Sequence, residues 1–95
     1  MSGAEFKIER SVCAWAEANG WIQRKIQYVG RNGAPDRWFF KGSARGAILV
    51  MIEFKAPGGK CSLIQEREID RLRKLGFNVF VIDSVEDGVN VLKSF

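Results

Sequence analysis

Asp36, Glu53 and Lys55 are the residues of this chain best suited to chemistry. They stand in A-P-D-R and, seventeen residues on, in I-E-F-K. A strand alternates its faces with period two, so Glu53 and Lys55 share one face of the run Ala47–Lys55 while Phe54 takes the other. The run is otherwise apolar (A-I-L-V-M-I), and a charged pair at its end has little packing reason to be there. Two carboxylates beside an ammonium suit metal-assisted hydrolysis of a phosphodiester. The carboxylates hold a hard divalent cation such as Mg²⁺ or Mn²⁺, and the lysine stands where water attacks. The competing reading is a structural ion-pair cluster, which strand ends also carry.

A hairpin must bring Asp36 to the pair. Arg37–Lys41 reads as a strand, Gly42–Gly46 as its turn and Ala47–Lys55 as the return strand. A turn centred on Ala44 sets Asp36 opposite Ile52 or Glu53, with the two carboxylates roughly 5 Å apart, the spacing of cross-strand neighbours. Their repulsion at an effective dielectric near 20 is about 3 kcal/mol, so a proton, Lys55 or a metal ion must offset it.

The flanking elements follow from periodicity. Ala4–Asn19 reads as a helix with the stripe Ile8, Val12, Trp15, Ala16, ended by Asn19-Gly20. Glu9 lies one position round, in line with Cys13 and Ala16, where the helix meets the sheet. Trp21–Gln27 reads as a strand, and Tyr28–Pro35 as a glycine-rich connector in which Gly30 and Gly33 let the backbone approach a ligand. Ala56–Cys61 is a second loop. Ser62 starts a helix with the capping box S-L-I-Q, whose N3 partner is Gln65. Ile69, Leu72 and Leu75 form that helix's stripe, and Gly76 closes it. Gln65 lies inward, apart from the solvated Glu66, Arg67, Asp70 and Arg73, though the cap alone accounts for it. Asn78–Ile82 reads as a buried strand. Ser84 caps a last helix with Val85, Val89, Leu92 and Phe95 on one face. The order predicts an α/β domain with a mixed sheet flanked by helices, in which the crossover helix leads to a parallel strand.

Composition narrows the function. Ninety-five residues make one domain, 1–95, with a small core. No apolar run spans a bilayer and the N-terminus does not read as a signal peptide, so a cytoplasmic protein is expected. With no histidine, histidine-ligated zinc and Ser-His or Cys-His catalysis are excluded. Cys13 and Cys61 are too isolated for a disulfide framework or a zinc site. Of the net charge of +4, the excess lies in residues 21–46, where Arg24, Lys25, Arg31, Arg37, Lys41 and Arg45 face Asp36 alone. With Lys60 they make a candidate nucleic-acid-binding surface, the competing reading being a solvated basic loop. Trp15, Trp21, Trp38, Leu92 and Phe95, with the small core, lead us to expect a homodimer, and the aromatic run Trp38-Phe39-Phe40 would suit a subunit interface or alternating core positions.

Together these stretches resemble a known family. The order αβββαβ with P-D and E-x-K resembles the PD-(D/E)xK nuclease superfamily and its restriction-endonuclease-like core. Glu9 with Gly20, Lys25, R-N-G-A-P-D-R, I-E-F-K-A-P-G-G-K, S-x-x-Q, L-R-K-L-G-F-N-V and V-I-D-S-V-E resemble, in order, the virus-type replication–repair nuclease (VRR-NUC) domain, especially the stand-alone versions of phages and bacteria. The resemblance implies Asp36 and Glu53 as metal-binding carboxylates, the Phe54 carbonyl as a further ligand and Lys55 as the catalytic lysine. It adds Glu9 as an acidic residue reaching the site from the first helix, and Gln65 as the glutamine of the helix after the motif strand. Ala34 departs from the family's usual valine. The implied activity is a Mg²⁺- or Mn²⁺-dependent DNA endonuclease leaving a 5′-phosphate and a 3′-hydroxyl. A homodimeric Holliday junction resolvase is the favoured form. A flap or nicked-duplex nuclease, and a non-cutting DNA-binding module, are the alternatives.

Overall fold

A computed structural model describes residues 3–95 of the chain. The elements are α1 (Gly3–Ala18), β1 (Ile22–Lys25), β2 (Arg37–Lys41), β3 (Ile48–Phe54), α2 (Leu63–Lys74), β4 (Asn78–Ile82) and α3 (Val85–Lys93). The four strands form one sheet in the order β1-β2-β3-β4. β1 and β3 each pair antiparallel with β2, and β4 pairs parallel with β3, as expected for a strand reached through a crossover helix.

Alternation along the strands sorts the core into two layers. Phe39, Val50, Ile52, Phe54 and Ile82 face α1 and α3, where Ile8, Val12, Cys13, Ala16 and Leu92 meet them. Met51 and Val79 face α2 and its Ile69, with Trp38, Leu49, Cys61 and Leu72 packed around. β3 is therefore covered on both sides, which explains its unbroken apolar run. The two cysteines lie in opposite layers and cannot meet. Burial pushes the Cys13 thiol up to about 11, against its ordinary reactivity.

Three expectations about apolar faces need correcting. Trp21 and Leu92 are buried, and Trp15 and Phe95 pack on the first layer and Trp38 on the second, so these side chains complete the core of one chain. The buried stripe of α3 runs through Gly88 and Leu92, whereas Val85 is exposed. A Cβ at Gly88 would lie 2.7 Å from a Val12 methyl and 3.2 Å from an Ile82 methyl, so α3 reaches α1 and the sheet because this residue has no side chain. On α2, Leu75 is exposed and Glu68 is buried in its place among the inward residues. Leu75 is already the C-cap, beyond the sheet's reach.

Candidate active site

The hairpin register pairs Arg37 with Ile52, which sets Asp36 across from Glu53 just beyond the end of β2. One step further, Phe54 faces Pro35. That position should exchange two backbone hydrogen bonds, but proline has no N–H to give. Asp36 takes over half of the exchange: its Oδ2 accepts from the Phe54 N–H at 2.9 Å. Its own carbonyl accepts from the Ile26 N–H at 3.0 Å, tying it to the strand on the other side. The Phe54 carbonyl is left without its ladder donor. The P-D dipeptide therefore ends the ladder and leaves a carboxylate and a carbonyl together at the strand end.

Glu53 follows Met51 on the α2 face and is 2% exposed. Its Oε2 accepts from Gln65 Nε2 at 3.1 Å and lies 3.4 Å from Lys55 Nζ. Its Oε1 is buried with no hydrogen-bond partner. Burial, then the charge of Asp36, pushes its pKa up to about 7, against the opposing pull of Lys55. Glu53 is held in place by what lies behind it: Phe54, wholly buried on the opposite face, contributes ~1.5–3 kcal/mol to keeping the strand end docked.

Gln65 unites the two readings of its position. Its Oε1 accepts from the Ser62 N–H at 2.9 Å, completing the capping box, and from Lys55 Nζ at 2.9 Å. One side chain therefore starts α2, orients the lysine and donates to Glu53.

Whether these residues fit a divalent cation is decided by the orphaned Glu53 Oε1. A buried carboxylate oxygen without a donor, close to a second carboxylate, calls for a proton or a cation. The donors on offer, Asp36, Glu53 and the Phe54 carbonyl, are hard oxygens of the kind Mg²⁺ and Mn²⁺ take. They fit.

Glu9 does not join them. Its carboxylate is buried as expected, but it accepts from Arg37 Nε at 2.6 Å and lies 3.4 Å from Lys25 Nζ. Arg37 alternates with Phe39 on the α1 face of the sheet, whereas Glu53 lies on the α2 face. Among the described residues no three acidic or cysteine side chains are grouped to hold a metal ion. α1 delivers Glu9 to Arg37 through Oε2, while its Oε1, like that of Glu53, is buried without a hydrogen-bond partner.

The basic residues divide. Arg24, Lys25, Arg31, Arg45 and Lys60 are exposed. Arg37 is turned in toward Glu9 and Gln23, while Lys41 lies 4.8 Å over the Trp21 ring and donates to the Phe95 carbonyl. Arg37 and Lys41 hold the fold together rather than forming open contacts. Sequence reasoning missed Glu68 altogether. It is buried and accepts from the Tyr28 hydroxyl at 2.7 Å, and nothing in the charged run around it marks it out.

Comparison with known proteins decides the family. The sequence profile of the VRR-NUC domain matches residues 7–86, most of the chain. The chain belongs to the VRR-NUC family. A solved structure of a VRR-NUC domain superposes with a TM-score of 0.86 at 32% identity, covering 99% of each chain. The phage protein named "Putative nuclease p44", of Acyrthosiphon pisum secondary endosymbiont phage 1, is 36% identical over 80 residues, spanning 84% of this chain and 83% of its own. The matched VRR-NUC span holds every site residue described above and places a nuclease-family domain on this restriction-endonuclease-like αβββαβ core.

Proposed function

We propose that this chain is a Mg²⁺- or Mn²⁺-dependent DNA endonuclease that hydrolyses phosphodiester bonds. The observation that carries the reading is the buried Glu53, with one oxygen unpartnered beside Asp36 and the other held by Lys55 and Gln65. A DNA-binding module would gain nothing from burying that carboxylate. Asp36, Glu53 and the Phe54 carbonyl would hold the cation, which when bound lowers the pKa of an attacking water and polarises the scissile phosphate. Lys55, fixed by Gln65, orients that water and offsets charge developing on the phosphate oxygens. Gln65 acts through Lys55 and Glu53, and Glu9 acts through Arg37, the neighbour of Asp36.

The substrate we favour is branched DNA, above all four-way junctions. The exposed cations Arg24, Lys25, Arg31, Arg45 and Lys60 suit backbone contacts, which read shape rather than base sequence, with Arg37 and Lys41 adding to the field. A two-fold homodimer would match the junction's own symmetry. Its support is now the exposed Leu75, Phe77 and Val81 around the free edge of β4, in place of the buried tryptophan and leucine of the core. Such a protein would act in the cytoplasm of a bacterial or phage-infected cell. The test is cleavage of labelled duplex, flap and four-way junction DNA with Mn²⁺ and with chelator, alongside sedimentation. We expect paired cuts in the junction, only with metal, by a dimer. A monomer that cuts flaps or nicked duplex would replace the junction model. Metal-independent binding with no cutting would defeat the nuclease reading.

Affinity should also fall steeply with salt. Five exposed cations each meeting a phosphate give a log–log slope of about −4 to −5, and each cation replaced should make it shallower by roughly 0.9. Fluorescence anisotropy in Ca²⁺ across a salt series measures it, and a flat response would remove nucleic acid as the partner.

A further inference from the structure

We propose that Glu68 is a positioning residue that sets the distance between the two halves of the site. The inference rests on the nuclease reading above. Asp36 hangs at the end of a long connector between β1 and β2 whose neck is closed by the Ile26 N–H to Asp36 carbonyl bond. That bond and the Phe54 N–H to Asp36 Oδ2 bond hold the two ends at Asp36 but do not reach the body of the connector, residues 28–34. The connector is instead strapped to α2. The Tyr28 hydroxyl donates to Glu68 Oε2 at 2.7 Å, and Arg31 Nη2 lies 3.4 Å from Glu68 Oε1. Two residues beyond Arg31, Gly33, at φ +101°, lies so close to α2 that a Cβ there would stand 3.1 Å from the Ile64 carbonyl and 3.3 Å from Glu68 Cβ. Pro35, next along, is fully buried.

Glu68 and Gln65 are three residues apart and share one face of α2. Gln65 grips Lys55 and Glu53, and Glu68 grips the connector that delivers Asp36. One helical turn therefore measures the gap between the two carboxylates. Its rigidity has a reason: displacing a catalytic group by about 1 Å costs on the order of 10²-fold in rate. Glu68 is 8% exposed and touches no reacting atom of the proposed chemistry, so its burial is otherwise unexplained. Burial and its hydrogen bond to Glu68 push the Tyr28 phenol up to about 12, which keeps the donor protonated across the working range.

The direction of the electrostatics separates this role from a bland one. Removing a carboxylate from beside Arg31 makes the surface more basic. If Glu68 only tuned the field, its loss would tighten DNA binding and leave turnover alone. The strap requires the reverse emphasis: slower cutting at saturating DNA, with affinity in Ca²⁺ unchanged or tighter. Glu68→Ala should lower turnover and weaken Mn²⁺ binding by about 10–100-fold, the range for residues that orient metal ligands. Tyr28→Phe, which deletes one hydroxyl, should act in the same direction. The double variant should fall short of the sum of the two. Glu68→Gln, which keeps an acceptor for Tyr28, should restore most of the loss. Hydrogen exchange at the amides of residues 32–34, of Asp36 and of Phe54 should quicken in Glu68→Ala and Tyr28→Phe. If Glu68→Ala does not fold, Tyr28→Phe with its exchange and Mn²⁺ titration carries the test. Unchanged turnover and metal affinity in the variants of an active wild type would overturn the inference alone. A wild type that neither cuts DNA nor binds Mn²⁺ would overturn the nuclease reading and the inference with it.

Discussion

Lys55→Ala is expected to lower the cleavage rate by about 10²–10³-fold or more while DNA affinity in Ca²⁺ stays within about twofold, because an interaction made only in the transition state is lost from turnover and not from binding. The structure separates the two roles. Arg24, Lys25, Arg31, Arg45 and Lys60 are exposed, whereas Lys55 is half-buried and spent on two neighbours, Gln65 at 2.9 Å and Glu53 at 3.4 Å. It is poorly placed to add ground-state affinity and well placed to be held still. Lys55→Arg should rescue little, since a planar guanidinium cannot occupy the space of a compact ammonium donating to Gln65. Single-turnover rates beside anisotropy in Ca²⁺ decide the matter. Equal losses in both would make Lys55 a phosphate contact.

Glu53→Gln should abolish cutting and yet stabilise the metal-free protein above neutral pH. The sign follows from the carboxyl's environment. Burial and Asp36 raise its pKa from 4.5 to about 7, so the folded state binds a proton that the unfolded chain gives up. Its contribution is fully present below about 4.5 and is lost as pH rises toward and through about 7, a matter of a few kcal/mol at most. Metal-free wild type should therefore weaken between pH 5 and 8 over that window. The glutamine variant carries no charge, and its amide can donate toward Asp36, so this fall should vanish. Added Mn²⁺ should restore the wild type, by about 2.7 kcal/mol at a hundred times its Kd, and leave the variant unmoved. Denaturant unfolding at two pH values, with chelator and with Mn²⁺, reads all four states. A wild type indifferent to pH and metal would mean that Glu53 is satisfied some other way.

The parts of this protein that could be read from its sequence are those governed by local rules. Glycines at both ends of the β2–β3 turn centred the hairpin, and period-two alternation then joined Asp36, Glu53 and Lys55. The S-x-x-Q spacing located the start of α2 within a turn. What escaped was decided by distant partners. Glu68 sits among Glu66, Arg67 and Asp70 in a run that looks solvated, and its burial is explained by the distant connector, through Tyr28 and Arg31. Glu9 was rightly placed against the sheet, but which face of β2 it would meet depended on Arg37 turning toward α1. The tryptophans looked surplus because their cover comes from both layers: Trp15 and Trp21 pack in the layer that α3 closes on Val12 and Ile82 through Gly88, and Trp38 packs in the α2 layer.

The hydrogen bond from the Phe54 N–H to Asp36 carries a consequence for how such a protein could change over generations. The bond asks only for an acceptor, and an asparagine amide oxygen offers one in the same place. Asp36→Asn would discard half of the charge that gathers a cation while sparing the strand end that the carboxylate secures. On the proposed function, a lineage could then drift from cutting DNA to merely gripping it by a single conservative exchange, with its basic surface intact. Drift through Glu53 would go more easily still, since losing that carboxylate relieves the fold. If the proposed cutting is what this protein does, that activity and not the architecture is what requires both acids.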